Sequence, residues 1–346
     1  MAQSITLQSG SVFAGNPITF LVRPTDLSIT PSFHRVYAEV TCGMSGGDYE
    51  TIKLFETVTR EGSDVEIDIS SALHTALDDY EYTPNATQYP YVSWQIRCYD
   101  EYMDSNGEIH TEVGEIYFPS KTTYYRCIAG SFSDMERLKS GATKSVKNLS
   151  CKPTSLPEKV KVGETFAYTS PYSTAQTLEK SASLVPPTSR QANVTKAGMQ
   201  TLGYQSVYAL PADDPQERQQ FRFINRFGVL ESISVPVAHG NSVHYDTEQY
   251  IIARRESFNK FSRLGVTKQN DRESWKCSTD VLNEDWLRWY LHEFLMSEHI
   301  WIYISNVWVP CLVVPDEEIT FKDTTKNDYY SVTFTAQLGI TGNPYV

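Results

Sequence analysis

The sequence predicts a mainly β protein, with two β-sandwich-like domains followed by a third domain in which strands surround one α-helix. Three observations predict it. Short stretches of alternating apolar and polar residues recur through the first two-thirds of the chain, spaced by clusters of Gly, Asn, Asp and Ser. The 22 tyrosines and 15 phenylalanines lean the composition toward strands, which favour aromatic and β-branched side chains. Five of the six tryptophans fall between Trp275 and Trp308, four of them on one helical stretch and the hairpin after it.

At 346 residues the chain exceeds what one core normally organises, so two or three domains are expected. Residues 1–125 form the first, a β-sandwich. Its strand patterns lie at 18–22, 35–41, 51–58, 64–69, 91–99 and 112–118, with turns at 45–48 (SGGD) and 104–107 (DSNG). A short helix at 71–77 takes Asp68 or Ser70 as its cap. Residues 126–245 hold a connector helix and a second, smaller sandwich. Ser133 and Glu136 make a capping box for the connector. The clearest later unit is a hairpin, 219–224 (QQFRFI) and 229–237 (VLESISVPV), turned at Asn225-Arg226-Phe227-Gly228.

In residues 246–346, strand patterns at 249–256 and 273–278 precede a helix at 284–297. Strands at 299–305, 307–314, 318–321 and 329–338 follow it, the last pair turned at 324–327. Asn283 is the N-cap, and Glu284 and Asp285 complement the helix dipole in the first turn. Leu287, Leu291, Phe294 and Leu295 trace one apolar stripe. Trp286, Trp289 and Tyr290 widen it around most of the circumference, so the helix is expected to be covered on two sides.

Composition excludes several function classes. A net charge of −12 opposes nucleic-acid or anionic-membrane binding, since both need a basic footprint. No stretch approaches the roughly 18 apolar residues that insertion in a membrane requires, and the amino terminus has no signal-peptide pattern. The six cysteines lack the close pairs of a zinc site and read as buried, reduced thiols. His239 and His244 flank Gly240-Asn241, but no acid or thiol stands at a diagnostic offset beside them, so no metal is assigned.

The pairs Asp78-Asp79 and Asp213-Asp214 and the run Asp316-Glu317-Glu318 sit at turn signals and read as solvated acids. The G-x-S-x-G match at 43–47 lacks the helix that a nucleophile elbow needs after its Ser. In 104–107, Tyr102 stands where a calcium loop needs its first acid. No catalytic residue and no cofactor is therefore expected, and the chain does not read as an enzyme.

Residues 246–340, with ESWKCS before the helix, NEDWLRWYLHEFLMS as the helix and HIWIYISNVWVPCLVV after it, resemble the split β-barrel module of tail-tube, distal-tail and baseplate-hub proteins of tailed bacteriophages. The stretches VEIDISSALHTAL and QFRFINRFGVLESISVP are similar to the sandwich domains appended to phage tail and baseplate proteins. The resemblance implies a barrel-like third domain with the helix packed on it. It also implies a non-enzymatic structural protein of the virion's tail, baseplate or neck, made in the host cytoplasm. Its partners would be further copies of itself and other virion proteins. Trp301, Tyr303, Trp308, Arg226 and Phe227 are the residues expected at assembly contacts. An alternative is an adhesin for host glycans, with Tyr80, Tyr82 and Tyr89 stacking on sugars. A cell-wall hydrolase would instead need Asp316 or Glu317 as working acids.

Overall fold

A computed structural model describes residues 3–9, 11–27, 31–44, 47–59, 62–78, 80–131, 145–146, 148–150, 152–172, 176–177, 184–252, 263–316 and 330–338. The fold is mainly β, and the chain divides into two compact units. The expected connector helix at 133–138, the strand at 318–321 and the turn at 324–327 lie outside the described residues, as do Ser45 and Gly46.

The first unit comprises Met1–Ser150, Thr169–Arg190 and Asn225–Val229. One sheet has the order β1 (Ser4–Ser9), β2 (Thr19–Arg23), β5 (Val65–Asp68). The other runs β4 (Glu50–Thr57), β3 (Phe33–Met44), β6 (Tyr91–Met103), β7 (Ile109–Phe118), with β8 (Tyr125–Ile128) also on β6. Alternation decides which face each strand buries. In β3, His34, Val36, Ala38, Val40 and Cys42 turn inward, while Arg35, Tyr37, Glu39 and Thr41 stay half-buried on the other face.

The inward residues of both sheets share one core around Trp94, Phe20 and Ile96, as in a β-sandwich. Each such aliphatic or Phe side chain stabilises by about 1.5–3 kcal/mol. The helix α1 (Ser70–Asp78) lies on this core through Ala72, Leu73 and Leu77. Asp68 accepts from the Ser70 backbone N–H at 2.8 Å at its start, one of the two expected caps. Gly130 adopts φ +115, and a Cβ there would collide with the backbone of Arg226 and Phe227. A short ribbon of β9 (Ser145–Val146) and β12 (Gln176–Thr177) completes the described strands of this unit.

The second unit comprises Cys151–Tyr168, Gln191–Ile224 and Leu230–Val346. A small sheet sets β10 (Glu158–Lys161) parallel to β15 (Gln205–Leu210), which pairs antiparallel with β14 (Gly198–Leu202). β11 (Thr165–Thr169) pairs with β13 (Ser189–Asn193).

Six strands close into a barrel in the order β16 (Arg218–Ile224), β17 (Leu230–Ile252), β18 (Arg263–Ser278), β21 (Thr333–Leu338), β20 (Val307–Pro315), β19 (Ile300–Ile304). The barrel starts upstream of residue 246. The hairpin read from sequence as part of a second sandwich, 219–237, supplies its first two strands. The reason is pairing: Phe221 and Phe223 on β16 register with both β17 and β19, which closes the cylinder. Local alternation cannot reveal a partner roughly 80 residues away.

The helix α2 (Glu284–Trp289) continues into a π-helical turn, Tyr290–Phe294, with the Leu295 N–H donating to the Tyr290 carbonyl at 2.9 Å. Trp286, Leu287, Trp289, Tyr290 and Phe294 are all buried, as the wide apolar stripe predicts. Phe294 packs among Phe221, Phe223 and Phe334 of the barrel, with ring centroids 5.4–5.5 Å apart. No helix among the described residues is long and apolar enough to cross a membrane.

Candidate functional site

Two features of the second unit stand out from its packing. The first is the hairpin of β17 and β18. Near the barrel, β17 also pairs with β16 through Pro236, and β18 with β21 from Ser274 onward. Beyond that, from Val243↔Glu273 to Ile252↔Arg263, the two strands pair only with each other among the described residues. At roughly 3.3 Å per residue this arm is about 30 Å long. A register shift at Glu248/Gln249 interrupts its ladder, and another at His239/Ser242 lies just before it. Among the described residues no strand pairs with either of its edges, which is the geometry that accepts another strand.

The second feature is a charged seam beside the helix. The Lys152 ammonium lies 2.5 Å from the Glu158 carboxylate, donates to the Ser232 carbonyl at 2.6 Å and faces the Phe166 and Trp289 rings. Burial raises the Glu158 carboxyl above its ordinary range, opposed by the Lys152 charge. Arg218, fully buried, donates to Asp280 at 2.8 Å, to the Lys159 carbonyl at 3.0 Å and to the Ser234 hydroxyl at 3.1 Å. Lys159 reaches Asp280 from the other side at 3.2 Å. These ties join the small sheet, the barrel and the turn before α2. A cavity of about 270 Å³ opens beside the seam, walled by Leu156, Leu282, Trp286 and Tyr290 with Glu158 among the lining groups. Burial pushes the Tyr290 phenol well above its ordinary value.

No protein-family model matches this chain, and no curated protein matches it either. The assignment of roles therefore rests on the residues themselves.

Trp301 and Phe227 are buried within the chain, so neither is exposed for a partner. Phe227 stacks on Phe13 at 5.2 Å, and Arg226 lies over the Phe227 ring. Trp308 is half-buried under the Arg222 guanidinium, 4.3 Å from its ring centre, and packs on Tyr303 at 4.8 Å. Burial lowers Arg222 to about 10. The aromatic excess of residues 275–308 is thus spent largely on the chain's own core. Alternation marks such residues as apolar and cannot say which side covers them.

The remaining candidates resolve as follows. Cys42, Cys98, Cys127 and Cys277 are buried and Cys311 half-buried, all as free thiols, while Cys151 lies outside the described residues. Burial pushes Cys98, Cys277 and Cys311 up to about 12. His239 falls in the barrel part of β17, in register with Lys276, and His244 on the arm, in register with Arg272. Asp104 holds the β6–β7 turn, its Oδ1 accepting from the N–H groups of Asn106 and Glu108 at 2.9 Å each. Its carboxylate comes within 4.8 Å of the ligand atoms of Glu108 and His110, a cluster at a surface turn that by itself assigns no metal. In the candidate glycan loop Tyr89 is buried, and Tyr80 and Tyr82 pack edge to face at 4.9 Å. Asp316 is paired with Lys276 at 2.8 Å, while Glu317 and Glu318 lie outside the described residues. The charged seam itself was missed. Lys152 and Glu158, Arg218, and Asp280 come from three separate stretches of the sequence, and nothing in their local patterns distinguishes them from solvated charges.

Proposed function

We propose that this chain is a non-enzymatic structural protein that assembles through β-strand contacts, in the tail, baseplate or neck of a tailed bacteriophage. The observation that carries the assembly reading is the arm of β17 and β18. An isolated two-stranded ribbon is marginal in water, and its open edges favour pairing with another strand. A second copy of the chain is the partner that supplies such a strand in fixed register at every contact. A stable ring built this way buries upwards of roughly 2,000 Å² per contact. The virion assignment rests on the resemblance alone, that of residues 246–340 to the split-barrel module and of the earlier stretches to appended sandwich domains.

The test is a variant in which residues 243–273 are replaced by an Asn-Gly turn, a loop chemistry suited to two-residue hairpins. The cut leaves every barrel pairing in place. Light scattering and negative-stain images are expected to show closed oligomers for the full chain and monomers for the variant, with matching circular dichroism. Oligomers of the same size from both chains sink the role of the arm. A full chain that stays monomeric at every concentration sinks self-assembly.

A further inference from the structure

We propose that the cavity beside α2 binds a small neutral aromatic molecule carrying one hydrogen-bond donor, the chemistry of a phenol or an indole. The inference is independent of the assembly reading. Size comes first. At about 270 Å³ the cavity exceeds the roughly 150 Å³ that suffices to hold benzene in an apolar protein cavity. Its walls suit a ring. Trp286 and Tyr290, with centroids 6.1 Å apart and planes tilted by 42°, offer faces and edges, and Leu156 and Leu282 supply aliphatic contact. Trp286 is held in place by its indole N–H, which donates to the Leu156 carbonyl at 3.2 Å. The exposed Val281 and Leu156 stand at the rim and leave an entrance.

The polar groups select the ligand's charge by elimination. An anion needs a cation to receive it, yet each guanidinium nitrogen of Arg218 already donates, and Lys159 is committed to Asp280. A cation needs a carboxylate, yet Asp280 is held by both those side chains and Glu158 by Lys152. What the wall does offer is acceptor capacity. The Glu158 side chain is 3% exposed, and Lys152 and the Ser234 backbone N–H leave part of the acceptor capacity of its two oxygens unused. A neutral donor such as a phenol O–H or indole N–H fills that need without adding charge to a buried site.

The experiment titrates phenol and toluene into the full chain by calorimetry and ligand-observed NMR. Phenol is expected to bind saturably, at least about tenfold tighter than toluene, one good hydrogen bond being worth about that factor. Val281→Trp at the rim is expected to abolish binding of both while leaving the melting curve unchanged. Glu158→Leu is expected to remove the preference for phenol and keep toluene binding. Should Glu158→Leu fail to fold, the Val281→Trp chain and the phenol-to-toluene ratio still decide the matter. Absence of saturable binding in the folded chain, equal affinity for both probes, or indifference to Val281→Trp each overturns the proposal.

Discussion

Lys152 carries more of the second unit than its place in the sequence suggests. Its ammonium sits against a buried carboxylate, a backbone carbonyl and two aromatic rings, with 4% of the side chain exposed. Removing one partner of such a pair leaves the other charge desolvated and uncompensated, at a cost of about 3–5 kcal/mol. Urea unfolding of Lys152→Met is expected to show a loss of that size. Lys152→Met combined with Glu158→Leu is expected to recover most of it, because no charge then remains buried. A single mutant within about 1 kcal/mol of the parent contradicts this account. Nothing in the sequence flags the pair: Lys152 precedes β10 and Glu158 opens it, so no shared strand or helix sets their spacing, and only the fold brings them together.

The helix is the element whose sequence signals were clearest, because capping is local. Asn283 accepts from the Trp286 N–H at 3.0 Å, Glu284 and Asp285 follow it, and Arg288 closes an i,i+4 pair with Glu284 at 2.7 Å. Asn283→Ala is expected to lower stability by about 1 kcal/mol in thermal or denaturant melts. A variant as stable as the parent removes the cap from the account. The π-helical turn after Trp289 was not legible, since it depends on seating Phe294 among three barrel phenylalanines. Strands show the same division. Alternation along β3 and β5 predicts their buried faces, but the 16 residues of β18 and its pairing with β21 depend on register, which no local pattern contains. The 126–245 segment is read from turn signals and alternation, which carry no sign that β16 and β17 belong to a barrel completed far downstream.

On the scale of the whole molecule, the charge balance makes stability depend on pH in both units. Burial pushes Glu39 up, but hydrogen bonds from Arg97 and Tyr99 outweigh it and hold the carboxyl below its ordinary range. Asp316 behaves alike, burial being outweighed by Lys276 and Thr335. A carboxyl lowered by folding contributes stability above its unfolded value and loses it as pH falls through the folded value. Glu158 and Glu164, raised by burial, run the opposite way: their contribution is complete at low pH and fades as pH rises. Asp316→Asn is therefore expected to melt below the parent at pH 7 and to match it near pH 2, where both forms are uncharged. A gap that persists at pH 2 points to lost packing instead.

Barrel closure also fixes an order of events during synthesis. The strand that seals the cylinder, β21, is made after the other five yet sits between two of them, β18 and β20. Until residues 333–338 leave the ribosome, the sheet stands open with Phe334 missing from the cluster around Phe294. Non-local pairings of this kind form slowly and leave apolar surface uncovered while they wait. A nascent chain of this protein is therefore a natural client for chaperones until nearly its whole described length has been translated.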